Sequence, residues 1–199
     1  GVRTRAVRDG DEWVINGTKL YITNGLQADW MCLLARTSDE GGSRGCSQIV
    51  VPTDVEGFSV SRKLDKLGMR SSDTAELVFE DVRVPEANLL GARGRGYAQF
   101  LATLDDGRVA IAALAVGCIQ ACLEMSVEYA GDRQTFGGPI GRKQGVAFQV
   151  ADLEVMLHAS RLLTYRAAAM KDSMRDGGGA STKDFKQAAA VAKLYATES

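Results

Sequence analysis

The sequence predicts an α+β protein of two domains: an antiparallel β-barrel or sandwich over residues 1–92, then part of an up-down α-helical bundle over residues 93–199. Three observations carry this. Up to about residue 92, apolar residues alternate or run in short blocks rich in β-branched and aromatic types. After Gly96 they recur at three and four. Between the two patterns lies the glycine-rich stretch Gly91-Ala92-Arg93-Gly94-Arg95-Gly96.

In the first half the spacing predicts strands from Thr4 to Arg8, Trp13 to Lys19, Trp30 to Arg36, Gln48 to Val51, Phe58 to Arg62 and Glu76 to Val84. Turn chemistry separates them at Asp9-Gly10-Asp11, Asn24-Gly25, Gly41-Gly42-Ser43 and Glu56-Gly57. Many short strands at this spacing favour a barrel or a sandwich. Pro85, which has no N–H to give a ladder, ends the last of them.

In the second half, Tyr97, Phe100, Leu101, Leu104, Ile111, Leu114, Cys118, Ile119, Cys122 and Met125 mark a helix running to about Tyr129. A second helix is expected from about Gln144 to Met174. A third follows Gly177-Gly178-Gly179, with Ser181 as its cap and Asp184 three residues on. These helices carry apolar residues on more than one face, so each is expected to meet more neighbours than three helices supply. Both chain ends fall inside a pattern, as the ends of an interior fragment would.

Net charge is −1, with both signs interspersed, so no clustered basic face for nucleic acid is expected. The cysteines Cys32, Cys46, Cys118 and Cys122 form no C-x-x-C pair, and His158 stands alone, which speaks against a zinc site. Cys118 and Cys122 are expected to pack as small buried hydrophobes. Sparse cysteine usage fits the cytoplasm, or the mitochondrial matrix in a eukaryote. No uncharged apolar run reaches the roughly 18–20 residues a bilayer needs, so no membrane span is expected.

Four segments could carry chemistry. In Tyr21-Ile22-Thr23-Asn24-Gly25, alternation would set an aromatic ring and a hydroxyl on one face beside an Asn-Gly turn. That pair suits a flat heteroaromatic ligand, although an ordinary strand end looks the same. Gly91 to Gly96 has the composition of a phosphate loop but not G-x-G-x-x-G spacing; a flexible interdomain linker is the plainer reading. Leu104-Asp105-Asp106-Gly107-Arg108 places two acids, a glycine and an arginine inside the first helix. Glycine weakens a helix interior by about 1 kcal/mol, so close approach by a ligand or another backbone is expected there. Asp132-Arg133-Gln134-Thr135-Phe136-Gly137 joins the first two helices. It offers an arginine for a phosphate and an aromatic ring, or else Phe136 plugs the bundle.

Together with Asp65-Lys66-Leu67-Gly68-Met69-Arg70-Ser71-Ser72-Asp73-Thr74, Phe79-Glu80-Asp81-Val82-Arg83-Val84-Pro85 and Gln144, these segments resemble the acyl-CoA dehydrogenase family in order and spacing. The resemblance covers essentially the whole chain. It implies a middle β domain and the first three-quarters of a C-terminal four-helix bundle, in an FAD enzyme that is usually a homotetramer. It implies that Tyr21, Ile22 and Thr23 line the flavin, tyrosine standing where the family most often has tryptophan. Arg133, Thr135, Phe136 and Gln144 match positions that hold the FAD of a neighbouring subunit. Asp105, Asp106, Gly107 and Arg108 match the segment that contacts acyl-CoA.

The family reaction removes a proton from the α-carbon of the thioester while hydride leaves the β-carbon for the flavin. Electrons then pass to an electron-transfer flavoprotein. The base is a glutamate that in one branch immediately precedes the arginine, where this chain has Gly107, and in the other lies near the C-terminus. The resemblance therefore implies no catalytic base within these residues, a glutamate C-terminal to Ser199, and no turnover by this chain alone. Two alternatives stay open: a flavoprotein oxidase of the same fold, and a non-catalytic homologue that binds acyl-CoA or flavin.

Overall fold

Residues 1–199 are described by a computed structural model, which divides into two compact units, Gly1–Leu101 and Ala102–Ser199. The first unit holds β1 (Arg5–Asp9), β2 (Glu12–Thr23), β3 (Trp30–Arg36), β4 (Cys46–Pro52), β5 (Phe58–Lys63), β6 (Thr74–Pro85) and β7 (Leu89–Leu90). They form one seven-stranded sheet in the order β5-β6-β2-β1-β3-β4-β7. Every pairing is antiparallel except one: β1 and β3 meet in a parallel bridge at Arg5 and Arg36. The expected antiparallel sheet is thus mixed at this one seam, where Arg36 N donates to Thr4 O at 2.8 Å.

Alternation works as expected along most strands. Trp13 and Ile15 of β2, Leu33 and Ala35 of β3, Ile49 and Val51 of β4, and Leu77 and Phe79 of β6 turn into one core. Phe58 packs a tilted ring on Phe79, centroids 5.5 Å apart. Burying side chains of this size is worth about 1.5–3 kcal/mol each and fixes the register, since a one-residue slip would expose them all.

The glycine-rich stretch after β7 is not the flexible linker the composition suggests. Gly94 N donates to Ser47 Oγ at 2.9 Å, and an Arg93 guanidinium N–H bonds Thr37 O. Arg93 also lies over the Trp13 ring, 5.6 Å from its centroid. A Cβ at Gly96 would sit 2.4 Å from the Ser47 carbonyl carbon, so glycine is needed for close approach rather than for freedom.

The second unit takes up most of α1 (Gly96–Asp132), then a small hairpin of β8 (Gln134–Thr135) and β9 (Gly138–Pro139), α2 (Gln144–Arg175) and α3 (Thr182–Glu198). Helix α1 runs unbroken through Gly107. Alanines Ala112, Ala167, Ala192 and Ala196 meet at one contact of the three helices, and small side chains let the axes approach closely. Ile119, Leu123 and Leu157 make a second cluster. Ser181 caps α3 as expected, its Oγ accepting from Asp184 N at 3.1 Å.

One expectation fails here. Cys118 and Cys122 are exposed, because the inward positions of α1 are the next ones along, Ile119 and Leu123. Helix α1 is, by length and composition, apolar enough to cross a membrane, with 22% of its most apolar stretch buried. Glu124 alone interrupts an otherwise uncharged run from Val109 to Val127, which is why a count of uncharged residues missed it. Leu114, Met125, Phe148, Val155, Leu162 and Leu194 also stand exposed, so the three helices leave apolar faces uncovered.

Candidate functional site

The end of β2 is irregular where the sequence promised regular alternation. The register against β6 shifts between Lys19 and Ile22, and Tyr21 takes a left-handed φ of 61°. A bulge therefore interrupts the alternation on which the common face of Tyr21 and Thr23 was argued. Both side chains are exposed all the same, Tyr21 at 72%, with Ile22 half-buried between them. A left-handed tyrosine costs free energy, and strain of this kind concentrates at functional positions.

What holds this strand end is Asp73. Its carboxylate accepts from Leu26 N at 2.9 Å and from Gln27 Nε2 at 2.7 Å, and its backbone carbonyl accepts from Asn24 N. These bonds, the one from Leu26 first, hold the carboxyl below the ordinary carboxylate range. Gly25 completes the turn: a Cβ there would meet Ala75 at 3.0 Å and Leu77 at 3.1 Å. Sequence reasoning quoted Asp73 without giving it a role, and no local signal does so, since its partners lie 46 and 47 residues away.

The loop from Asp65 to Asp73 is held by its own groups. Arg70 pairs with Asp65 at 2.6 Å, and Lys66 Nζ donates to Ser72 O at 2.6 Å. Met69 is left-handed and exposed.

In the helical unit, the Asp132–Gly137 segment is a hairpin. Phe136 and Gly137 form its two-residue turn, both with positive φ, 47° and 79°. Phe136 is 97% exposed, so it does not plug the bundle; Lys143 Nζ lies 5.7 Å from its ring centroid. Thr135 is half-buried in β8, and Gln144 is the exposed first residue of α2. The Arg133 side chain is exposed and pairs with nothing, while its carbonyl accepts from Ile140 N and so closes the hairpin. An unpaired guanidinium, an outward ring and the start of α2 fall on the same connection between α1 and α2, a set of groups that suits an anion joined to an aromatic group.

Asp105 and Asp106 point to different partners. Asp105 is buried, bonded to Arg108 one turn on and 3.6 Å from Lys186 of α3. Asp106 pairs with Lys171 of α2 at 2.7 Å. Both carboxylates therefore tie the three helices together, a role their spacing does not reveal. Gly107 follows them, with nothing within 4 Å of where a Cβ would be. No backbone of this chain explains that glycine, and the space beside it is open.

Along its length the chain matches two family models, the acyl-CoA dehydrogenase middle domain over residues 1–82 and the acyl-CoA dehydrogenase C-terminal domain over residues 94–199. The chain belongs to the acyl-CoA dehydrogenase family. It is 43% identical over 195 residues to the mitochondrial short-chain specific acyl-CoA dehydrogenase of Rattus norvegicus, covering 98% of this chain and 45% of that protein. The butyryl-CoA dehydrogenase structure of Megasphaera elsdenii superposes with a TM-score of 0.89 at 37% identity, over 100% of this chain and 50% of the other. The prolyl acyl carrier protein oxidase AnaB superposes equally well, TM-score 0.89, at 33% identity, over 99% and 50%. The chain thus spans about half the length of the relatives it matches. Family membership accounts for the β unit followed by long helices.

Proposed function

We propose that the protein is an FAD-dependent acyl-CoA dehydrogenase that converts a short straight-chain acyl-CoA to its trans-2-enoyl-CoA. The match to both family domains, at 43% identity to a short-chain specific enzyme, carries this reading. The residues fit the cofactor: an exposed tyrosine and threonine in a strained bulge, and an unpaired arginine three residues before an exposed phenylalanine. Tyr21, Ile22 and Thr23 would hold the flavin edge; Arg133, Thr135, Phe136 and Gln144 would hold the diphosphate and adenine of another copy. FAD supplies the two-electron acceptor, and electron-transfer flavoprotein removes the electrons.

The chain's own contribution is placement. Arg108, fixed by buried Asp105, and the open space at Gly107 border the substrate, with Asp106 holding α1 to α2. Removing an α-proton from a thioester needs donors to the developing enolate and a carboxylate whose pKa is raised by desolvation. Both acids beside Gly107 are paired with cations. In this reading, as the family resemblance implies, the base is a glutamate C-terminal to Ser199, and residues 1–199 alone do not turn over substrate. The working protein is a homo-oligomer, a tetramer in this reading.

Anaerobic addition of butyryl-, octanoyl- and isovaleryl-CoA to the purified full-length protein tests the reading. Butyryl-CoA should bleach the flavin absorbance most completely; bound flavin that none of the three bleaches would overturn it. The likeness to the acyl carrier protein oxidase favours one second reading, an oxidase. Admitting air separates them: rapid return of the flavin band with peroxide formed means oxidase.

A further inference from the structure

We propose that a cleft on the β unit binds a phosphate-bearing ligand through Arg36 and Arg93. The cleft has a volume of about 480 Å³ and its lining includes Arg5, Arg8, Arg36 and Arg93, with Asp39 the one carboxylate in that lining. Two of the four arginines are already neutralised: Arg5 by Asp39 and Arg8 by Glu86. The other two are held without being neutralised. Arg36 Nη1 donates to Glu40 O at 2.9 Å, and Arg93 donates to Thr37 O, both main-chain acceptors. Neither has a carboxylate partner.

Each guanidinium has five N–H donors and spends one, so most of the fork stays available. Arg93 is further fixed by stacking over Trp13. Gly45 makes room for Arg36, since a Cβ there would fall 2.6 Å from Arg36 Nη1 and 2.3 Å from Glu40 O. Two pre-positioned, unneutralised guanidinium groups at one concavity repel each other. A dianion relieves that repulsion, and planar forks match phosphate oxygens in pairs. The cleft lies wholly within the β unit, and nothing in the dehydrogenase reading requires it.

The test titrates the full-length protein with inorganic pyrophosphate by calorimetry at low and high potassium chloride. Saturable binding that weakens with salt is expected. Arg36→Gln should weaken it about tenfold, and adding Arg93→Gln should weaken it further. Arg62→Gln, which removes an arginine paired with Glu76 on β5, should leave it unchanged. Should Arg93→Gln lower the thermal midpoint by loosening its loop, Arg36→Gln alone decides, because that side chain makes a single bond. Equal affinity in wild type and Arg36→Gln, or no binding, overturns the proposal. Comparing coenzyme A with 3′-dephospho-coenzyme A in both proteins identifies the source. A larger loss for coenzyme A names its 3′-phosphate, and an equal loss names the diphosphate both share. No loss for either, with pyrophosphate binding lost, names a separate phosphoryl compound.

Discussion

Asp73 fixes a strand end that its own neighbourhood in sequence leaves open. By bonding Leu26 N and Gln27 Nε2 it ties the turn after Thr23 to the start of β6. Its pKa lies below the ordinary 3.8, so as pH falls the unfolded chain takes up that proton first. The stability Asp73 gives is complete above the ordinary value and is lost as pH falls through its own lower one. Asp73→Asn should therefore flatten the acid limb of the thermal midpoint as pH falls below about 4; an unchanged slope would remove Asp73 from this role. Lys19, one of the last residues before the bulge, is the opposite case. Burial lowers its pKa while Nζ donates to Leu34 O at 2.6 Å. Tyr21 and Thr23 were legible as a ring beside a hydroxyl. The left-handed turn at Tyr21 was not, because it depends on pairing with β6.

Whole elements were read well where periodicity is long. The third strand was placed at Trp30–Arg36, and α2 within a residue at either end. The cap of α3 was read from Ser181 and Asp184, and it makes a testable unit. Ser181 Oγ donates to Asp184 Oδ2 at 2.6 Å and accepts from Asp184 N. Ser181→Ala should lower unfolding free energy by about 1 kcal/mol in denaturant titration; no change would mean that packing on α2 alone holds the helix start. The β8–β9 hairpin was missed. Its strands have two residues each, and Phe136-Gly137 lacks the Asn-Gly or Asp-Gly signature of such turns. Gly107 suggested close approach by a ligand or another backbone; no backbone of this chain approaches it, and the 37-residue helix runs through the one unfavourable residue.

For the whole molecule, the uncovered apolar faces and the outward Phe136 point the same way. Such surface calls for further protein, and the proposed oligomer supplies it. Phe136→Ala should change stability by less than about 0.5 kcal/mol, because the ring touches little within its own chain. FAD retained through gel filtration should nevertheless drop sharply; full retention would remove Phe136 from the cofactor site.

The sequence by itself determined the order of elements, the faces that turn inward and the segments that carry the family resemblance. These follow from periods of two and about 3.6, from turn residues and from local capping, all written within a few residues. Tertiary structure decided the bulge at Tyr21, the anchoring by Asp73, the pairing of Asp105 and Asp106 with α3 and α2, and the cleft of unneutralised arginines. Each depends on groups far apart in sequence, and neither period nor spacing records which distant partners folding will bring together.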